Sequence, residues 1–131
     1  MPPDPILYDA DCGFCRWSLG VLLAWDRRGG LRPVALQDAE ADQLLRELPA
    51  GERMESWHLV TAEGVTSAGA AAAPLLRRLP GGRPLAALFA RFPQATERVY
   101  GFIADRRSAF SRVVPRRAVA AADRRIEARR G

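Results

Sequence analysis

Cys12 and Cys15 are the only cysteines in this chain of 131 residues, and they stand as Cys-x-x-Cys. Thiols at this spacing do redox chemistry: one sulfur attacks a disulfide, and two intervening residues let the other reach it and resolve the mixed disulfide. The pair follows a short apolar run, Pro5-Ile6-Leu7-Tyr8, that reads as a buried strand. It opens a helical periodicity carried by Phe14, Trp17, Ser18, Val21, Leu22 and Trp25. A thiol at a helix N-terminus faces unpaired backbone N–H groups and the positive end of the helix dipole, both of which favour thiolate. On that layout Cys12, nearer the helix end and expected to be the more exposed, is the attacking thiol. Cys15, one turn in, is expected to be the buried resolving thiol. Asp9 ends the strand just before the pair, where it can relay protons to Cys15 or cap the turn through backbone N–H bonds. Asp11 adjoins Cys12, and its charge opposes thiolate formation there. Phe14 and Trp17 read as core or substrate-groove surface. His58 alternates with apolar neighbours in a strand and reads as solvent-facing or hydrogen-bonded, not catalytic.

Other chemistries fit these residues less well. Structural zinc takes four Cys or His ligands, and the chain offers two cysteines and one histidine, which leaves only a site shared across a dimer. Covalent haem attachment needs histidine directly after the second cysteine, and Arg16 stands there. A loop this short gains little from a purely structural disulfide. Two buried bystander cysteines remain an alternative. Asp9-x-Asp11 after an apolar strand also resembles the nucleophile loop of haloacid-dehalogenase-type phosphatases. That chemistry uses a lysine and downstream carboxylates for magnesium. Here all twenty basic residues are arginines, and the later acids are sparse. The chemistry expected is thiol exchange with no metal and no cofactor.

The length suits one domain with a single core, and 48% hydrophobic with 27% charged residues is ordinary for a globular chain. Met1-Pro2-Pro3-Asp4 lacks the basic start of a signal segment, and the apolar run near Leu19–Trp25 is too short to span a bilayer. A cytoplasmic protein is therefore expected, where Cys-x-x-Cys is more often catalytic than structural. The net charge of +5 is unevenly spread, −5 over residues 1–65 and +10 over 66–131. Arginine doublets end the chain at Arg106-Arg107, Arg116-Arg117, Arg124-Arg125 and Arg129-Arg130. Without a nucleic-acid module or interleaved aromatic surface they read as a solvated face and tail, with no specific nucleic-acid site.

The elements that must position the thiols follow from periodicity and breakers. The motif helix should run over 13–27, stopped by Gly29-Gly30 after Arg27-Arg28. Leu31–Leu36 reads as a second strand, an edge or a strand start because of Pro33. Asp38 is placed to cap a helix through about Leu48, with Leu44, Leu45 and Leu48 inward, before Pro49-Ala50-Gly51 breaks it. Trp57–Thr61 and Val65–Ser67 form a hairpin around Glu63-Gly64. Ala68–Leu79 is helical, with Pro74 marking a kink or restart. Leu85, Leu88, Phe89 and Phe92 mark another helix. Pro93 opens one more, with Val99, Tyr100, Phe102 and Ile103 inward. Beyond Pro115 the Ala/Arg-rich chain reads as helical or loose.

That order is the thioredoxin-like α/β layout: a single domain over 1–131, with a mixed central sheet, a core of about 5–80 and a C-terminal helical extension of about 84–131. The chain resembles the DCC family of thiol-disulfide oxidoreductases, marked by Asp-x-x-Cys-x-x-Cys after the first strand, here Asp9, Cys12 and Cys15. The likeness continues in Trp25-Asp26-Arg27-Arg28, Val34-Ala35-Leu36-Gln37, Ser56-Trp57-His58-Leu59-Val60, Gly69–Leu79 and Val99-Tyr100 to Arg107. It implies a thioredoxin-like fold and disulfide exchange with a protein or small-thiol substrate. One departure stands out. Thioredoxins carry a cis-proline before the third strand, and Met54-Glu55-Ser56 here contains no proline. The competing expectation is a non-catalytic interaction module that binds anions through its arginine-rich half.

Overall fold

The computed structural model describes residues 3–130. β1 (Asp4–Tyr8) alternates its side chains to both faces of the sheet, so Ile6 and Tyr8 join one buried cluster and Leu7 the other. β2 (Leu31–Ala35) pairs with it in parallel, and β3 (His58–Thr61) and β4 (Gly64–Ser67) continue the sheet antiparallel in the order β2-β1-β3-β4. Pro33 sits in an edge strand, as its missing N–H requires. This mixed sheet, flanked by helices, is the thioredoxin-like α/β fold.

The motif helix α1 (Gly13–Trp25) follows β1, with Cys12 as its N-cap. Its buried stripe is Leu19, Gly20 and Leu23, while Val21 faces out. It ends two residues short of the expected boundary because Asp26 turns inward. That carboxylate is fully buried and accepts from Gly30 N–H and Leu31 N–H at 3.1 and 3.0 Å.

Residues 39–53 also differ from expectation. α2 (Ala39–Leu44) stops early, and α3 (Ala50–Arg53) is a helical turn where a plain break was expected. Asp38 stands at the N-cap of α2 but makes no capping bond, being held by Arg130 instead. Leu45 is fully buried beneath the sheet. Pro74 marks a restart: a 3₁₀ turn over Ala68–Ala71 precedes α4 (Ala72–Arg78), and the proline lies in the first helical turn, where no N–H partner is needed.

α5 (Arg83–Arg91) buries Ala86 and tucks Phe89 against the core, but Leu85, Leu88 and Phe92 of the expected inward set are exposed. α6 (Pro93–Asp105) buries no residue fully; Val99 and Phe102 are 60% and 53% exposed, and Tyr100 alone of its expected inward set is even half-buried. The reason is tertiary. Hollows, not packed side chains, lie beneath that apolar face. α7 (Arg107–Val113) then crosses the start of α1, and α8 (Arg116–Arg130) runs along α1 with Ala122 and Ile126 buried. Gly20 makes this possible, since a Cβ there would overlap Ala122 Cβ and lie 2.7 Å from its Cα.

Candidate active site

The turn between β1 and α1 is tied down by side chains before any sulfur is involved. Asp9 Oδ1 accepts from Asp11 N–H at 2.9 Å, the capping role open to it from the sequence. Gln37, just beyond β2, clamps the same turn: Oε1 accepts from Ala10 N–H at 3.1 Å, and Nε2 donates to Asp9 Oδ1 at 2.9 Å and Asp11 Oδ2 at 3.2 Å. Parallel pairing of β1 with β2 brings these distant residues together. Cys12 therefore meets the helix N-terminus in fixed geometry.

At the cap, Cys12 Sγ accepts from Cys15 N–H at 3.2 Å, and the Cys15 thiol donates to Cys12 Sγ at 2.6 Å. Both cysteines are free thiols. Every hydrogen-bond donor aimed at Cys12 stabilises negative charge on it. Cys15 faces the opposite situation. Burial foremost, then its own hydrogen bond to Cys12 and the nearby Cys12 charge, push its thiol up to about 12; Arg107 opposes this and Asp9 adds to it. Cys15 is thus the sulfur of the pair that holds its proton.

Exposure runs against expectation. Cys12 is the buried member, 9% exposed, and Cys15 is intermediate. α7 is the cause. Ser111 lies over the start of α1, its Oγ 3.9 Å from Cys12 Sγ, accepting from Phe14 N–H at 3.1 Å and donating to Arg107 O at 2.8 Å. Phe110 stacks on Phe14, ring centroids 5.2 Å apart. Nothing in the local pattern of α7 marks Ser111; its role comes from a contact across almost the whole chain.

Cys15 instead lines a cavity of about 290 Å³ between the sheet, α1 and α6. Its walls include Phe14, Leu22, Trp57, Tyr100 and Ile103, with Asp9, Ser56 and Arg107 as polar edges. Ser56 and Trp57 thus border the cleft from the segment before β3. Arg107 Nη1 lies 3.8 Å from Asp9 Oδ2, so Asp9 and Cys15 share one wall without a hydrogen bond between them. Arg107, Gln37 and Trp57 belonged to legible motifs; their partnership with the thiols was not legible.

His58 takes the hydrogen-bonded reading. It is 1% exposed; Nε2 donates to Arg53 O at 2.9 Å and Nδ1 accepts from the Ser67 hydroxyl at 2.6 Å. Burial lowers its pKa despite the Arg53 bond. Among the described residues no three His, Cys, Asp or Glu side chains gather as a metal centre would need.

A dithiol at the N-terminus of the helix after β1, on a β2-β1-β3-β4 mixed sheet, is a thioredoxin-like arrangement. The chain belongs to the DCC1-like thiol-disulfide oxidoreductase family, whose sequence pattern matches residues 6–113. No curated protein and no solved structure matches it. The family match includes α7 and ends before α8.

Proposed function

We propose that this protein is a thiol-disulfide oxidoreductase whose Cys12–Cys15 pair cycles between dithiol and disulfide with a thiol or disulfide substrate, protein or small molecule. The observation that carries the reading is the cap geometry, in which both the N–H and the S–H of Cys15 point at Cys12 Sγ. In the reducing direction Cys12 attacks a substrate disulfide and releases the first substrate thiol. Cys15 then gives up its proton and attacks Cys12 Sγ, releasing the second thiol and closing the protein disulfide. Asp9, in the cavity wall with Cys15, serves as the proton acceptor for that second step. Exchange by this route needs no metal and no organic cofactor. A cytoplasmic setting suits it, because thiols there are kept reduced.

The anion-binding alternative draws on the arginine-rich half. Four of those arginines, Arg78, Arg107, Arg129 and Arg130, are already paired with Asp4, Asp9, Asp26 and Asp38. The test is reduction of a model disulfide by the wild type, with trapping in the variants. Cys15→Ser should accumulate a mixed disulfide at Cys12, and Cys12→Ser should lose turnover. A wild type that neither reduces a disulfide nor forms one sinks the enzyme reading.

A further inference from the structure

The cavity is lined by one cysteine of the pair and not by the other. Cys15 is in its wall, whereas Cys12 is turned to the helix cap under Ser111. We propose that this cavity is the binding site for a small apolar thiol, the electron donor that reopens the protein disulfide, and that its sulfur exchanges at Cys15. The inference rests on the oxidoreductase reading and names the reductant for the same site.

Size and lining select the ligand. About 290 Å³ lies at the small end of ligand pockets, enough for a compact group and too little for a folded partner to enter. Phe14, Leu22, Trp57, Tyr100 and Ile103 offer aromatic and aliphatic surface. A thiol bearing peptide amides and several charges would lose hydration there without replacing it. At the polar edge, the Arg107 guanidinium favours a thiolate arriving beside Cys15 and the Asp9 carboxylate, 3.8 Å from Arg107, opposes one, so the apolar walls carry the selection.

The place of Cys15 in the cavity wall selects the sulfur attacked, and the first leaving group agrees with it. A thiolate RS⁻ attacking Cys15 Sγ forms the R–S–Sγ bond, breaks the bond between Cys15 and Cys12, and expels Cys12 as thiolate. Cys12 departs onto the helix cap, where Cys15 N–H is 3.2 Å away and the Ser111 hydroxyl 3.9 Å away. The route through Cys15 expels this less acidic thiol only in the second exchange, after the ligand sulfur is seated in the cavity. A second RS⁻ then attacks the bound ligand sulfur, releasing RSSR; Cys15 leaves and takes up a proton. Two thiols are oxidised to one disulfide, and the protein disulfide is reduced to the dithiol.

The experiment measures thiol-exchange equilibria on single-cysteine proteins, which separates binding from turnover. Cys12→Ser and Cys15→Ser are each loaded as the 2-hydroxyethyl mixed disulfide and equilibrated with benzyl mercaptan or glutathione, and the adducts are weighed by mass spectrometry. Cys15 should prefer benzyl over 2-hydroxyethyl by at least about tenfold, from the apolar area buried, and should disfavour glutathione. Cys12 should show no such preference, and replacing Ala104, which also lines the cavity, by a side chain that fills it (Ala104→Trp) should erase the preference at Cys15. Equal partition at Cys15, or an equal benzyl preference at Cys12, overturns the inference. Failure of the wild type to reduce any disulfide is a separate result: it defeats the oxidoreductase reading, and with it the donor role, whatever the exchange constants show.

Discussion

At the scale of single residues the two thiols, three positions apart, are asymmetric: Cys12 is buried at the helix cap, and Cys15 lines the cavity with its pKa raised. Asp9 is a sharp probe, because its charge and its proposed role as proton acceptor have opposed effects on Cys15. Its charge helps hold the proton on Cys15, so Asp9→Asn should speed alkylation of Cys15 in a Cys12→Ser background. If Asp9 also accepts the Cys15 proton during resolution, the same change in the intact pair should slow release of substrate and let the mixed disulfide accumulate near pH 7. Faster resolution in the variant would remove Asp9 from the mechanism. Asp11 is a simpler case. It is exposed and next to Cys12, so Asp11→Asn should raise the rate of Cys12 alkylation at neutral pH several-fold, less so at high salt. His58 reports on the fold instead. Its folded pKa is lowered, so between that value and the unfolded value of about 6.5 the unfolded chain binds more protons. Stability should therefore be full above about pH 6.5 and fall as pH drops through that window. Urea midpoints across pH 5–7.5 would show it, and His58→Gln should flatten the slope.

The elements divide into those that hold the thiols and those that shape what reaches them. β1 and the Gln37 clamp fix the turn, α1 supplies the cap, and α7 covers Cys12. α6 spans the cavity, leaving its apolar face partly exposed. α8 is the support for α1, and their close approach depends on Gly20 against Ala122. Gly20→Ala places a methyl where Ala122 already stands, and overpacking of this kind costs about 1–3 kcal/mol even though alanine is the better helix former. The denaturant midpoint should fall accordingly. Adding Ala122→Gly should restore only part of the loss, since the added methyl still meets the Cα of residue 122 at 2.7 Å, and a double variant no better than the single one would place the strain in that backbone contact.

For the molecule as a whole, the uneven charge has a structural use. The acidic first half and basic second half are joined by ion pairs at Asp4–Arg78, Asp9–Arg107, Asp26–Arg129 and Asp38–Arg130. They are not equivalent. Asp26 is fully buried, and Arg129 meets it at 2.9 Å while also donating to Leu23 O and Asp26 O at the end of α1. Removing Arg129 leaves a buried carboxylate with only its backbone donors, so Arg129→Ala should cost about 3 kcal/mol. Arg130→Ala breaks a pair whose members are both more than a third exposed and should cost under about 1 kcal/mol. Chemical denaturation of the two variants side by side checks this. Equal losses would mean that the tail is only a solvated face, as its composition suggested.

Sequence alone determined what local pattern can carry. The thiol spacing, the strand before it, the periodicity of α1, the hairpin of β3 and β4, and the restart at Pro74 all lie within a few residues of their signals. They emerged close to expectation because periodicity, caps and turn residues act over a turn or a strand. Only the tertiary structure decided which cysteine is covered, since Ser111 reaches Cys12 from α7, 99 residues away in sequence. It likewise decided that Gln37 and Arg107 serve the turn, that Arg129 closes α1, and that the apolar face of α6 roofs a hollow. Each of these is a contact between elements brought together by sheet order and helix packing. No residue's own neighbourhood in the chain specifies such a contact.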